Sequence, residues 1–118
     1  MNRYFPHEKL ACYQLALDVS RWFHSARFPR GCADLKSQGS RAASSVALNI
    51  AEGSLSIGKN RRRHFRYAIA SAAEASAVLD LVQLEGAAAQ QVALRRVAAM
   101  VRGLRQRPLF RRGVAPPE

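Results

Sequence analysis

Residues 34–53 read DLKSQGSRAASSVALNIAEG, and this stretch is the clearest guide to the fold. Asp34 is a residue type that favours the N-terminal cap of a helix, and Gly53 ends the run. Between them, small and apolar residues recur every three or four positions, which is the period of one face of an α-helix. These residues are Leu35, Gly39, Ala42, Val46 and Ile50. The stretch therefore predicts a helix over residues 34–52 and a loop over 53–58.

Three further segments show the helical period, and proline or glycine residues separate them. The four predicted helices cover residues 7–26, 34–52, 60–85 and 89–107. The predicted core face of the first helix consists of Leu10, Tyr13, Leu17, Ser20 and Phe23. β-Branched residues are too sparse to predict strands. Four such helices with short links predict an all-α protein, an antiparallel up-down four-helix bundle formed by one domain over residues 1–108. A basic, proline-containing tail over 109–118 is predicted to follow it.

The size and the alanine content together favour self-association. A length of 118 residues suits a single domain with one hydrophobic core. Alanine is abundant in the second, third and fourth predicted helices, and it fills less core volume than leucine or phenylalanine does. A core with few large residues gains stability when copies of the chain bury further surface together. We therefore expect a homo-oligomer.

The chain carries a large surplus of positive charge. Nineteen lysine and arginine residues oppose eight aspartate and glutamate residues, for a net charge of +11. Sixteen of the nineteen are arginine, whose planar guanidinium binds phosphate through two parallel hydrogen bonds. Residues 59–118 hold twelve basic and four acidic side chains, whereas residues 1–58 hold seven and four. The surplus is therefore concentrated in the second half of the chain, and nucleic acid is the first partner to consider.

Two clusters make up most of this surplus. One opens the third predicted helix, where the helix dipole disfavours cations, so stability does not explain its position. The other forms a polar stripe of the fourth predicted helix. The predicted nucleic-acid-binding residues are Lys59, Arg61, Arg62, Arg63, Arg66, Arg95, Arg96, Arg102 and Arg105. Two interpretations remain open: a surface that binds phosphate without reading base sequence, or a solvated face that keeps an oligomer in solution.

A second stripe of the helix over 34–52 is polar and runs beside its apolar face. Its members are spaced by three or four residues: Gln38, Arg41, Ser45, Asn49 and Glu52. The next helix offers Ser71 and Glu74 at a matching spacing. Either these side chains are merely solvated, or they form a polar seam between the two helices. In a seam, Arg41 pairs with Glu52 or Glu74, and Asn49 bonds to backbone.

Three short motifs resemble a known family: RAASSV over residues 41–46, NIAEG over 49–53 and ASAAE over 70–74. The bacterial four-helix bundle family that includes the protein encoded in intervening sequences of large-subunit ribosomal RNA genes has similar motifs. It shows an Arg-Ala-Ala-x-Ser-Ile/Val core, an Asn-Ile-Ala-Glu-Gly helix end and a Ser-x-x-Glu on the next helix. The resemblance covers nearly the whole chain, and NIAEG is its most specific part. Ala70 departs from the glycine that usually stands there.

This resemblance implies a homopentamer in which five bundles form a ring. The family also includes the accessory variability determinant of diversity-generating retroelements, a basic protein that works with a reverse transcriptase and binds nucleic acid. Nucleic acid and a reverse transcriptase are therefore the partners that the resemblance implies. The charge surplus also fits a second function, a protein-interaction scaffold that docks an acidic protein partner and has no role in nucleic-acid binding.

Other classes of function find little support in the sequence. The three histidines lie apart, and no Glu-x-x-His pair or Cys/His cluster at metal-ligand spacing is present. We therefore expect neither an enzyme nor a metal or other cofactor. Cys12 and Cys32 form no disulfide framework, which favours a cytoplasmic protein. The longest uncharged run, residues 42–51, falls short of the ~20 residues that a membrane-spanning helix needs, so we expect no membrane role.

Overall fold

The computed structural model describes residues 4–106, with the backbone alone for Gln106, and this part of the chain contains helices and no strands. A short 3-10 helix covers Pro6–Lys9. The four α-helices are α1 (Ala11–Ser25), α2 (Ala33–Leu55), α3 (Gly58–Asp80) and α4 (Ala87–Gln106). The prediction of an all-α chain with four helices is confirmed. The predicted tail over 109–118 lies outside the described residues.

Each helix runs antiparallel to its neighbours along the bundle. Short links join successive helices, which pack side by side, and α4 also packs on α1. Hydrogen bonds between helices fix the pairing at 2.9–3.0 Å: Ser20 with Ser44, Ser45 with Ser71, and Gln91 with the carbonyl of Ser76. The helices therefore alternate in direction around one core, in a molecule with extents of 56 × 26 × 20 Å.

The first helical region is broken where the sequence predicted one continuous helix over 7–26. Leu10 is extended, with φ −78° and ψ 128°, and separates the 3-10 helix from α1. Of the predicted core face, Phe23 is buried and Leu10 and Tyr13 are partly buried against the core, but the other fully buried residues of α1 are Cys12, Ala16 and Val19. Two apolar stripes lie side by side on α1, and the stripe with the smaller residues packs closest to its neighbours.

Gly53 does not end α2, although the sequence predicted a helix stop and a loop over 53–58. The helix continues to Leu55, and only Ser56 and Ile57 link it to α3. Gly53 is buried, and a β-carbon at this position would overlap the ring of Phe65 on α3. Glycine therefore serves here as the place where an aromatic ring packs against helix backbone, a role that a residue pattern does not distinguish from a helix stop.

The link between α3 and α4 is longer than predicted. Helix α3 ends at Asp80, whereas the prediction extended it to residue 85, and α4 begins at Ala87, two residues before the predicted start. Gly86 stands just before α4 with φ +88°, a conformation that residues with a side chain rarely adopt. The predicted break between the third and fourth helices is confirmed, but it begins after Asp80, so Gly86 precedes α4 and does not end α3.

The core is rich in alanine. Among residues 4–106, nineteen hydrophobic residues are buried, and eight of them are alanines. Phe23 and Phe65 are the largest side chains that are fully buried. Each of these rings packs against a glycine of α2: Phe23 contacts Gly39, and Phe65 contacts Gly53. No helix in the described part of the chain is both long and apolar enough to cross a membrane.

The close packing at Gly53 predicts a stability difference between two glycine substitutions. Gly53→Ala should lower the free energy of unfolding by about 1–3 kcal/mol, because the fully buried Phe65 ring has no room to move away from the new methyl group. Gly103→Ala is the matched control, since its β-carbon would meet no atom of residues 4–106 within 4 Å, and it should stabilise the helix by about 0.5–1 kcal/mol. Urea unfolding followed by circular dichroism measures both. Equal stability of the two variants would contradict the packing role of Gly53.

Candidate nucleic-acid interface

The antiparallel packing of α3 and α4 brings the two basic clusters of the sequence together. The first turns of α3 lie beside the last turn of α4, and together they line a depression of about 360 Å³. We call this site the basic depression, and its lining residues are Lys59, Asn60, Arg62, Arg63, Arg66 and Arg105. Five of the nine predicted nucleic-acid-binding residues therefore meet at one end of the bundle.

Like charges crowd the basic depression. Four of its cations are exposed, and they come from two turns of α3 that also carry the positive end of the helix dipole. Arg105 is partly buried, and its Nε has no hydrogen-bond partner among the described residues. None of the described residues that line the site is acidic. An anion in the depression would relieve this repulsion and would meet several guanidinium groups at once.

Arg61 lies apart from the basic depression, although the sequence grouped it with its neighbours. Its Nη1 donates a hydrogen bond to the carbonyl of Gly53 at 3.3 Å, and its guanidinium lies 4.8 Å from the centre of the Phe65 ring. Burial lowers the pKa of this guanidinium. Arg61 therefore secures the link between α2 and α3 by a hydrogen bond and a cation–π contact.

The remaining predicted cations lie along α4. Arg95 and Arg102 line a groove of about 320 Å³ between α3 and α4, and both are exposed, whereas Arg96 is exposed outside that groove. We call it the α3–α4 groove. Its lining residues are Ile69, Ala72, Ala73, Ser76, Ala77, Asp80, Leu94, Arg95, Ala98 and Arg102. Small and apolar side chains form most of its wall, so it differs in character from the basic depression.

A polar seam between α2 and α3 exists, but it is narrower than predicted. Ser45 and Ser71 share a hydrogen bond at 2.9 Å. Asn49 Nδ2 donates to the carbonyl of Ser45 at 2.9 Å and to its hydroxyl at 3.0 Å, so the predicted bond from Asn49 to backbone is confirmed. His64 Nδ1 lies 3.1 Å from Asn49 Oδ1 and joins the same network. Sequence reasoning missed His64, although its spacing of seven residues from Ser71 places both on one face of α3.

The other predicted members of the seam face solvent: Gln38, Arg41, Glu52 and Glu74. Arg41 Nη1 donates to Ser37 Oγ at 2.7 Å, and within residues 4–106 it pairs with neither carboxylate. The predicted Arg41–Glu52 pair was wrong, because eleven residues along one helix separate the two by about 16 Å. No carboxylate or guanidinium of the predicted set therefore lies in the seam, which avoids the desolvation cost of burying those ions.

The cysteines and the other side chains that could bind a metal ion also bear on the chemistry of the chain. Cys12 is buried in the core, where burial raises the pKa of its thiol, and both cysteines are free. Within residues 4–106, no group of three or more histidine, cysteine, aspartate or glutamate side chains comes close enough to hold a metal ion. The expected absence of an enzyme activity and of a cofactor stays a prediction.

Comparison with known proteins gives one family. The family model described as 23S rRNA-intervening sequence protein matches residues 8–100, which include the polar seam and all the basic residues at the start of α3. Comparison with curated proteins gave no match.

The hydrogen bond between Ser45 and Ser71 predicts a measurable coupling between α2 and α3. In a double-mutant cycle, Ser45→Ala and Ser71→Ala should show a coupling free energy of about 0.5–1.5 kcal/mol, because either change alone already removes the bond. Ser54→Ala with Ser71→Ala is the control cycle, since the Ser54 hydroxyl donates to the carbonyl of Ile50 in its own helix. Chemical unfolding measures all the variants. Additive effects in the Ser45–Ser71 cycle would mean that the seam does not link the helices.

Proposed function

The chain belongs to the 23S rRNA-intervening sequence protein family, and from this membership and the basic depression we propose that it is a non-enzymatic, homo-oligomeric protein that binds the phosphate backbone of RNA or DNA. The observation that carries the proposal is the meeting of Lys59, Arg62, Arg63, Arg66 and Arg105 in one site. It acts in the cytoplasm as a scaffold or accessory factor. A reverse transcriptase as its partner stays a prediction from resemblance alone.

The chemistry of the depression favours phosphate over base recognition. Guanidinium groups bind phosphate oxygens through paired hydrogen bonds, and each neutralised phosphate releases condensed counterions into solution. No aromatic side chain is among the described residues that line the site, so it offers no platform on which bases can stack. The proposed binding is therefore strongly dependent on salt and nearly indifferent to sequence.

Self-association is the second part of the proposal, and the surface of α2 supports it. Leu48 is 66% exposed and Leu55 is 61% exposed, and a spacing of seven residues places both on one side of the helix. Large apolar side chains that share one helix face are typical of a contact surface. A pentameric ring would present five basic depressions together, and this multivalency would strengthen contacts that are weak singly.

Nucleic-acid binding predicts a difference between two triple variants of equal charge. Arg62→Ala, Arg63→Ala and Arg66→Ala together should weaken binding of generic RNA and DNA at least about tenfold, because three phosphate contacts are lost. The slope of log K against log salt should fall in magnitude by about 2–3. Fluorescence anisotropy at ~50–200 mM salt measures both quantities. Arg61 stays unchanged because it stabilises the link between α2 and α3.

The matched control replaces Arg21, Arg27 and Arg30 with alanine. These exposed arginines lie on α1 and the link after it, outside the depression, and their removal lowers the net charge by the same amount. The control should bind nearly as well as the unchanged protein. An equal loss in both triples would assign the binding to diffuse charge, and no binding by the unchanged protein at ~50 mM salt would refute the nucleic-acid function.

Self-association predicts an oligomer that depends on Leu48. Light scattering should give the unchanged protein about five times the mass of its 13.0 kDa chain. Leu48→Arg should reduce that mass, because a cation would have to be desolvated in the contact. Val92→Arg introduces the same charge at another exposed position, on α4, and should leave the mass unchanged. A 13.0 kDa mass for the unchanged protein would overturn this part of the proposal.

A further inference from the structure

Two surfaces of the bundle are left uncovered by residues 4–106, and they match each other in shape and charge. One is the outer face of α2, formed by Arg41, Leu48, Glu52 and Leu55; the other is the α3–α4 groove. We infer that the outer face of α2 on one copy docks into the α3–α4 groove of the next copy. This inference rests on the homo-oligomer proposed above and assigns the two surfaces that build it.

The outer face of α2 has the pattern of a helix that enters a groove. Leu48 and Leu55 point away from the core, since Val46 and Ile50 fill the buried side of the same helix. Two turns separate the two leucines on one side of the helix, and Leu48 is the one that enters the groove in the register derived below. Their exposure leaves apolar surface in water that a second copy would bury, and burial of apolar surface favours association.

The α3–α4 groove can receive such a helix. Ala72 and Leu94 are buried at its base, while Ala73 and Ala77 are exposed in its wall. Alanines let two helix backbones approach closely and leave space into which a leucine can insert. The nearby arginines are exposed, so they can reach a charged group on the incoming helix.

Charge favours one register for this docking, because the groove carries Asp80 at one end, Arg102 at the other and Arg95 between them. At one end of the groove, Gln91 Nε2 of α4 donates to Asp80 and to the carbonyl of Ser76 on α3, so Gln91 and Asp80 lie at about the same level. Helices α3 and α4 are antiparallel. Arg102 follows Gln91 by eleven residues on α4, and Ile69 precedes Asp80 by eleven residues on α3. Arg102 and Ile69 therefore lie at about the same level at the other end of the groove. Asp80 and Arg102 therefore stand about 16 Å apart along the groove.

The outer face of α2 carries the opposite charges at the same spacing. Arg41 and Glu52 are also eleven residues apart, or about 16 Å along the helix. With α2 antiparallel to the neighbour's α3, Arg41 meets Asp80 and Glu52 meets Arg102. Leu48 follows Arg41 by seven residues, so it then lies at the level of Ala73, which precedes Asp80 by seven residues on the neighbour's α3.

Reversing the incoming helix would reverse the electrostatics. Arg41 would then face Arg102 and Glu52 would face Asp80, and like charges brought together at a contact oppose binding. The charge pattern therefore selects one direction. Because the two contacting surfaces differ, each copy still offers a free face and a free groove, and such head-to-tail contacts form a ring when the rotation between copies closes. In this arrangement Arg102, one of the predicted nucleic-acid-binding residues, lies in the contact between copies. Phosphate is then bound by the residues of the basic depression.

A charge swap between Glu52 and Arg102 tests the contact. Glu52→Arg alone and Arg102→Glu alone should each reduce the mass measured by light scattering toward 13.0 kDa, because each places like charges together. The double variant Glu52→Arg with Arg102→Glu should recover the mass of the unchanged protein. Recovery separates a direct pairing from a folding defect, and circular dichroism checks that each variant keeps its helices.

Two controls reverse exposed charges outside the proposed contact. Arg96→Glu changes a cation of α4 that does not line the groove, and Glu74→Arg changes an anion of α3 that does not line it either. Both should leave the mass unchanged. If the unchanged protein is an oligomer and the Glu52 and Arg102 variants keep its mass, this contact is refuted while self-association stands, and the groove is open to another partner. If the unchanged protein is a single chain, self-association itself is refuted.

Discussion

Close packing of aromatic rings against the backbone of α2 is the constraint on which the rest of the structure depends. Gly39 and Gly53 leave no side chain between helix and ring, so Phe23 of α1 and Phe65 of α3 press directly on α2. Two large rings thereby anchor a core in which eight of the nineteen buried hydrophobic residues of the described chain are alanines. Without these close approaches, so many small side chains would leave voids, and voids cost stability.

The same packing positions the charged end of the bundle. Phe65 holds the start of α3 against the end of α2, and Arg61 covers its ring while bonding to the carbonyl of Gly53. With Arg61 engaged in this way, the neighbouring cations on the other side of α3 face Arg105 of α4. Repulsion among them is tolerated because the bundle is held elsewhere by apolar contacts and by the uncharged seam between Ser45 and Ser71. A site that concentrates like charge in this way is suited to an anionic partner.

Sequence periodicity was most reliable where a helix had one apolar stripe and least reliable where it had two. The stripe of α2 was correctly identified, whereas on α1 the buried stripe is the one through Cys12, Ala16 and Val19. Residue type also misled where glycine serves two purposes: Gly86 lies in the link just before α4, but Gly53 lies inside α2. For the candidate site, sequence identified Ser45, Ser71 and Asn49 as seam residues, but it paired Arg41 with Glu52 at a spacing that one helix cannot bridge.

The sequence by itself determined the helical class, the four segments, the surplus of arginine and the family, because these follow from spacing and composition along the chain. Only the tertiary structure decided which charges act together. Lys59 and Arg105 stand far apart in sequence and line one depression, whereas Arg61 and Arg62 are adjacent and have different surroundings. The physical reason is that a helix turns each successive side chain by about 100°, so neighbours diverge, while antiparallel packing brings distant helix ends together.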